Sequence, residues 1–194
     1  LSEGPVMASA DTFDVYIEGK GGHGAHPEQC IDPIQAGVEF IQSVNRMVAR
    51  EITPTTPVVV SITQFVAGTT SNVIPETAHL SGTTRTADPE LRDRFPEILE
   101  RTAAAVMQDT STRIKVDYHL GCAVTINDPE VTETGRKAAA QVFGADHLLK
   151  QPFVMGGEDF SKFTNEKAYL WLGGGAQDPA KRVAAHSPFF EIDE

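Results

Sequence analysis

The residue whose type and surroundings most readily suggest chemistry is His23, which stands in the stretch GKGGHGAHP, residues 19–27. Glycines at four of these positions allow backbone angles and close approaches that a side chain would prevent. A histidine held in such a loop can donate a hydrogen bond or carry a proton near neutral pH. The alternative is a surface turn that happens to contain a histidine, since most loops only connect elements.

Two polar residues farther along the chain have side chains suited to binding a carbonyl or carboxylate group. Asn72 begins the turn-like sequence NVIP, and an asparagine held in a turn can offer its amide to a substrate. Arg85 lies in the sequence GTTRT, and its planar guanidinium can clamp a carboxylate. Taken singly, each residue favours a structural explanation: an asparagine that fits a turn, and an arginine solvated at a strand end.

The sequence GGED at residues 156–159 is a tight turn that could present backbone groups to a ligand, although acidic residues also suit a first helical turn. His186 follows an apolar run and a glycine-rich turn. A metal site needs three or four ligands, and the sequence has no His-x-Asp, Glu-Glu or His-Glu-x-x-His. A metal site wholly inside this chain is therefore not expected. The sequence also has no Gly-x-Ser-x-Gly elbow and no phosphate-binding glycine loop.

The composition limits the classes of partner. The formal net charge is -11, with acidic residues in excess in both halves, which disfavours nucleic acids and anionic membranes. No apolar run approaches the ~20 residues of a membrane span. The two cysteines, Cys30 and Cys122, have no CxxC spacing. They indicate neither a disulfide scaffold nor a thiolate zinc site, and we expect a reducing, cytoplasmic location.

The spacing of apolar side chains predicts the elements that position these residues. Residues 11–18 alternate in the manner of a half-buried strand, and Asp-Pro pairs at 32–33 and 88–89 are typical helix starts. The predicted elements are strands at 11–18, 58–66, about 76–86 and 113–120, with helices from 32 to about 50 and from 88. This β-α-β-β-α-β order over residues 11–120 predicts an α+β fold of the ferredoxin-like type. Its uncovered sheet edge favours dimerisation.

Residues 121–194 contain few predicted elements. A linker at 121–127 precedes a helix from Asp128-Pro129 to about Phe143, and short strands are expected at 152–155 and 169–172. These elements would form a poor core alone. We therefore expect them to be part of an α/β domain whose remaining strands are absent from the sequence.

Five segments, taken in order, resemble one family. They are MASADTFDVYIEGKGGHGAHPE, DPIQA, TTSNVIPETAHLSGTTRT, MGGEDFSKF and AHSPFFEID. The chain resembles the co-catalytic metallo-amidohydrolase and carboxypeptidase family, which includes aminoacylases, hippurate hydrolases and auxin-conjugate hydrolases. The forms GGHGAHP and GGEDF favour the amidohydrolase branch.

The resemblance implies a layout. Residues 11–120 would form a lid that mediates homodimerisation, while residues 121–194, with 1–10, would belong to the catalytic α/β domain. The chain begins LSEGP without an initiator methionine. We expect it to be a piece of a longer protein, whose preceding half carries most metal ligands and the glutamate general base.

The resemblance also implies roles for lid and loop residues. His23 would cross the dimer interface and stabilise the oxyanion as a catalytic residue. Asn72 and Arg85 would hold the substrate carboxylate or carbonyl, and Gly156 and Gly157 would line the substrate pocket. The implied substrates are N-acyl amino acids, hippurate-like molecules or short peptides.

His186 would correspond to the late metal-ligand histidine of the family. The implied cofactor is a pair of divalent metal ions, zinc or manganese, held mostly by residues absent from this chain, and the reaction is amide hydrolysis by metal-activated water. Two alternatives stay open. The chain as it stands is a non-catalytic dimerisation and substrate-recognition fragment, or it is a ferredoxin-like regulatory domain that binds a small ligand.

Overall fold

The computed structural model of the chain describes residues 1–163, 166–176, 178, 180, 182–183 and 187–192. The described residues form eight strands, three α-helices and three short 3-10 helices. The strands are β1 (Gly4–Met7), β2 (Ala10–Glu18), β3 (Gly22–His23), β4 (Val58–Ala67), β5 (Val73–Ile74), β6 (Thr77–Thr86), β7 (Arg113–Cys122) and β8 (Thr125–Asn127). The helices are α1 (Pro33–Glu51), α2 (Pro89–Thr110) and α3 (Pro129–Phe143).

The centre of the molecule is a four-stranded sheet with the order β4-β6-β2-β7. Every neighbouring pair in it is antiparallel. With α1 between β2 and β4, and α2 between β6 and β7, this is the βαββαβ ferredoxin-like arrangement that the sequence predicts. We call this unit, residues 10–122, the lid.

Each long helix begins where an aspartate precedes a proline. The side chain of Asp32 accepts a hydrogen bond from the amide of Ile34, and Asp88 and Asp128 make the equivalent bonds to two amides each. Such a cap satisfies amides that have no partner within the helix, and the proline at the first helical position has no amide to satisfy. The three predicted helix starts are thereby confirmed.

The core of the lid lies between one face of the sheet and the two helices. Alternate residues of β2 and β6 pack against the inner faces of α1 and α2. The largest buried side chains are Phe13, Ile17 and Leu80 of the strands and Phe40, Val44, Leu99 and Val106 of the helices. A second cluster, Met47, Leu91, Phe95 and Ile98, joins the two helices. The opposite face of the sheet carries polar residues such as His79 and Thr83, and no described helix or strand covers it.

The segment beyond the lid contains less regular structure than the sequence predicts. β8, which was expected to be linker, pairs antiparallel with β1. The strand predicted at 152–155 is only a single parallel bridge between Val154 and Met7. Residues 169–172 form no strand, because the amide of Tyr169 donates instead to the side chain of Asn127, at 2.6 Å.

Apolar side chains are distributed very unevenly between the two parts. Among the described residues beyond the lid, Val124 is the one buried hydrophobic side chain on the C-terminal side. Many large ones are exposed there, including Val142, Phe143, Leu149, Phe163, Trp171, Leu172, Phe189 and Ile192. Within the part of the chain that the structure covers, no helix combines the length and the apolar character needed to cross a bilayer.

Candidate functional site

His23 lies at the tip of the lid, in a loop held by backbone pairing. β3 and β5 pair antiparallel, with His23 opposite Val73. The glycines beside it are required by close approach, since a Cβ at Gly21 would lie 2.7 Å from the carbonyl oxygen of Ile74. None of the glycines at positions 19, 21, 22 and 24 has a positive φ angle, so backbone conformation does not require glycine there. The loop therefore presents the imidazole on a rigid two-stranded support.

The hydrogen bonds of the loop fix the tautomer of His23. The backbone amide of Ala25 donates to its Nδ1 at 3.1 Å. A neutral imidazole whose Nδ1 accepts a hydrogen bond carries its proton on Nε2. The exposed ring of His23 consequently directs an Nε2–H donor away from its own loop.

Asn72 lies beside His23 at the same tip. Its carbonyl oxygen accepts the amide of Gly24 at 2.8 Å, which joins the two loops. The hydroxyl of Thr70 donates to Oδ1 of Asn72 at 3.2 Å, so the amide is oriented with Nδ2 available as a donor. His23 and Asn72 together supply two N–H donors on one exposed surface, which we call the tip site.

Arg85 lies at the other end of β6, next to the GGED turn. Its Nη1 would lie 3.4 Å from a Cβ placed on Gly157, and Gly156 lies against the side chain of Met7. Among the described residues, no carboxylate pairs with Arg85. This half-buried guanidinium is thus suited to bind an incoming carboxylate. We call Arg85, Gly156 and Gly157 the joint site.

The tip site and the joint site lie at opposite ends of the lid. Thr77, at the tip end of β6, and Arg85 are eight residues apart on one strand, which corresponds to roughly 26 Å. The structure therefore brings His23 together with Asn72, and Arg85 together with Gly156 and Gly157, but it does not bring the two groups together within one chain.

A buried carboxylate that the sequence reading did not single out lies near the joint site. The side chain of Asp11 is 0% exposed and pairs with Arg92, whose Nη2 donates to Oδ1 at 2.7 Å and whose Nε donates to Oδ2 at 2.8 Å. The hydroxyl of Tyr118 also donates to Oδ2, at 3.2 Å. The alternating pattern of β2 could have indicated this residue, because Asp11 lies on the same face of the strand as the buried Phe13.

Burial raises the pKa of the Tyr118 hydroxyl, so this residue stays a hydrogen-bond donor well above neutral pH. The hydrogen bond to Asp11 raises the pKa of Arg92. Arg92 is therefore charged throughout the physiological range. Removing one partner of such a buried pair leaves an unpaired charge and costs about 3–5 kcal/mol.

The described residues do not form a metal centre. Within the ranges that the structure covers, no group of three or more His, Cys, Asp or Glu side chains could hold a metal ion. His186, the predicted metal ligand, lies outside the described residues. A metal pair does not fit the donor set seen here, and its ligands would have to come from elsewhere in the protein.

The sequence matches known proteins along almost all of its length. Residues 8–110 match the family profile of the M20 peptidase dimerisation domain. Thermostable carboxypeptidase 2 of Saccharolobus solfataricus is 31% identical over 195 residues, which cover 99% of the chain and 49% of that protein. Hippurate hydrolase of Campylobacter jejuni is 32% identical over 175 residues, covering 89% and 46%. N-acyl-L-amino acid amidohydrolase of Geobacillus stearothermophilus is 39% identical over 127 residues, covering 66% and 34%. The chain spans half or less of the length of these relatives.

Solved structures share the fold. Bacillus subtilis YxeP, a dinuclear metal-binding peptidase from the M20 family, superimposes with a TM-score of 0.66 at 31% identity, covering 84% of this chain and 39% of that one. An aminohydrolase from methicillin-resistant Staphylococcus aureus gives a TM-score of 0.83 at 23% identity, covering 98% and 49%. At that lower identity the second likeness shows the fold alone.

Proposed function

This chain belongs to the M20 peptidase family, and from that membership we propose that the whole protein hydrolyses the amide bond of N-acyl amino acids or short peptides in a metal-dependent reaction. The observation that carries the proposal is the geometry of His23. Its Nδ1 accepts a backbone amide, so Nε2–H is a fixed donor on an exposed tip. A donor held in this way needs no reorganisation when an oxyanion develops, which is how such groups stabilise a tetrahedral intermediate.

The joint site supplies the complementary half of substrate recognition. An N-acyl amino acid has a free carboxylate next to its scissile amide. The guanidinium of Arg85 lies beside Gly157 without a carboxylate partner among the described residues, and a planar fork of donors suits this anion. Asn72 would bind the carbonyl or carboxylate from the tip.

The two groups act on one substrate if the protein is a homodimer. A distance of roughly 26 Å along β6 is too long for one N-acyl amino acid to bridge within a chain. A two-fold axis through the lid would bring the tip site of one subunit to the joint site of its partner. Dimerisation would then complete the active site as well as stabilise the protein.

The metal chemistry would come from outside the described residues. A pair of divalent ions, zinc or manganese, would activate the attacking water when bound. His186 would be this chain's contribution to their coordination. The exposed apolar side chains beyond the lid, such as Trp171 and Leu172, would be covered by the remaining part of a catalytic domain that includes residues 1–10 and 121–194. We also propose a cytoplasmic location, in keeping with the two unpaired cysteines.

The test is a substitution of His23 in the whole protein. We expect His23→Ala to lower kcat for an N-acyl amino acid by about 10²-fold or more, the usual effect of losing one oxyanion donor. His26→Ala is the matched control. It removes an exposed imidazole three residues away whose partner is Glu28, and it should leave kcat close to that of the unmodified protein. An unchanged kcat in His23→Ala would refute the oxyanion role.

We propose a second function for the chain taken alone: a non-catalytic dimerisation and substrate-recognition module. The observation that favours it is the lack of a metal-holding group among the described residues. An assay of the 194-residue chain with zinc or manganese and N-acyl amino acids distinguishes the two proposed functions. Turnover by this chain would exclude the second function.

A further inference from the structure

Two segments that lie side by side connect the lid to the rest of the chain, and we call the place where they pass between the two parts the crossing. The chain enters the lid at Ala10, where β2 begins, and leaves it at Cys122, where β7 ends. These two residues are paired across the sheet. On the other side of the crossing, β1 and β8 pair with each other. Whatever holds this crossing in place sets the orientation of the lid.

The crossing contains a bulge. Ala10 pairs with Cys122 but Thr12 pairs with His119, so β7 has one extra residue there. The bulge brings Gly121 so close to β2 that a Cβ on it would lie 2.2 Å from the carbonyl oxygen of Ala10. The amide of Gly121 is turned away from the strand ladder and needs a separate acceptor.

The carboxylate of Asp11 is that acceptor. Gly121 N–H donates to Oδ1 at 2.7 Å, while Arg92 and Tyr118 fill the remaining positions around both oxygens. One buried side chain thus connects the entry strand, the exit strand and helix α2, which carries Arg92. A buried carboxylate with four directed donors has a single low-energy geometry.

The same crossing touches the joint site. A Cβ on Gly157 would lie 2.4 Å from the Cβ of Ala10, the residue immediately before Asp11. Val154, three residues before Gly157, exchanges backbone hydrogen bonds with the entry segment, donating to Val6 at 3.2 Å and accepting from Ala8 at 3.1 Å. A shift of the crossing would therefore move the GGED turn relative to Arg85.

We propose that Asp11 is a positioning residue for substrate binding: by fixing the bulge at Gly121 it holds Arg85 of the lid over Gly157. Its kinetic consequence rests on the proposed function, in which Arg85 binds the substrate carboxylate. The inference assigns Asp11 no contact with substrate. It predicts that loosening the crossing weakens recognition of the carboxylate and leaves the chemical step unaffected.

The first test is kinetic and uses the whole protein. Asp11→Asn keeps the shape but removes the charge and replaces one acceptor by a donor. We expect KM for an N-acyl amino acid to rise about tenfold with kcat nearly unchanged, as for a loss of uniform binding. With a substrate whose carboxylate is converted to a primary amide, KM should be the same in both proteins. A purely structural role would not distinguish the two substrates.

Two further variants complete the comparison. Arg92→Lys keeps the positive charge but loses the paired hydrogen bonds to both oxygens of Asp11. It should raise KM for the carboxylate substrate and leave KM for the amide substrate unchanged. This variant replaces Asp11→Asn in the test if Asp11→Asn fails to fold. Asp109→Asn makes the same chemical change at an exposed position of α2, and its KM should match that of the unmodified protein. The inference is overturned if, in the folded Asp11 and Arg92 variants, KM changes by the same factor for both substrates or does not change at all.

Hydrogen exchange tests the inference without relying on activity. In Asp11→Asn, or in Arg92→Lys, we expect the amides of Gly121 and Val154 to exchange about tenfold faster or more, and that of Val15 in the sheet centre to be unchanged. If the unmodified protein hydrolyses no N-acyl amino acid, the proposed function fails and this measurement alone decides the inference. Unchanged exchange at both amides would overturn it.

Discussion

Gly157 shows at the scale of a single residue how tightly the lid is joined to the segment beyond it. The space where its side chain would be is occupied by the Cβ of Ala10, at 2.4 Å, and bordered by Nη1 of Arg85, at 3.4 Å. Its φ angle is not positive, so close approach and not backbone conformation requires glycine here. The residue is needed because three segments meet at it.

We expect Gly157→Ala to destabilise the protein by about 1–3 kcal/mol, the cost of overpacking, because the new methyl group cannot fit beside Ala10. The double variant Ala10→Gly with Gly157→Ala should regain most of that loss. Gly173→Ala is the control, since a Cβ there would meet nothing within 4 Å. Urea unfolding measures all three, and failure of the Ala10→Gly change to rescue would show that the contact is not the cause.

Residue types and spacing suggested most members of the candidate site but not their geometry. The glycine loop marked His23, and the turn marked Asn72. The sequence could not show that Ala25 fixes the tautomer of His23, because that bond depends on how the loop folds back. Asp11 was overlooked although its phase in the strand was visible, because an inward-facing aspartate is explained only by the partners that surround it.

At the scale of elements, β4 is the strand best suited to dimerisation. It lies at one edge of the sheet, so its outer backbone groups have no strand partner among the residues that the structure describes. Gly37 of α1 allows the ring of Phe65 to lie against the helix, since a Cβ there would be 2.5 Å from Cζ. Exposed apolar side chains flank this edge on both faces of the sheet: Val38, Val59, Phe65 and Val66.

If the protein forms the proposed homodimer through this edge, a charge placed on it should separate the subunits. We then expect Val66→Lys to give a monomer at micromolar concentration, because a lysine opposes edge-to-edge strand pairing. Val66 is 55% exposed, so the lid itself should stay folded. Leu120→Lys, on the opposite edge strand β7 and 66% exposed, is the control. Sedimentation velocity measures both, and a monomer produced by Leu120→Lys instead would place the interface at β7.

The elements that the sequence predicted correctly are those with strong local signals. Three Asp-Pro pairs begin three helices, and alternation marks the four sheet strands to within two residues. The short pairings β1 with β8 and β3 with β5 went unpredicted, because two to four residues carry too little pattern and depend on a distant partner. The strand expected at 169–172 is absent because the amide of Tyr169 donates to the side chain of Asn127, a distant contact that no local pattern reveals.

On the scale of the whole molecule, the described chain has one closed core and one open surface. The lid buries its apolar residues between its own sheet and helices. Beyond it, Phe143, Leu149, Leu172 and Phe189 are each more than half exposed. A large exposed apolar surface usually marks a site of contact with another protein surface. We therefore expect residues 10–122 to fold on their own and the segment beyond them to need further contacts to fold.

The separation of the tip site from the joint site has a genetic consequence. If every catalytic centre takes one site from each subunit, two inactive alleles can compensate for each other in one cell. Co-expression of His23→Ala with Arg85→Ala subunits would leave one intact centre in each mixed pair, and random assortment would restore about a quarter of the normal activity. Two alleles that damage the same end of the lid, such as His23→Ala with Asn72→Ala, would show no such complementation.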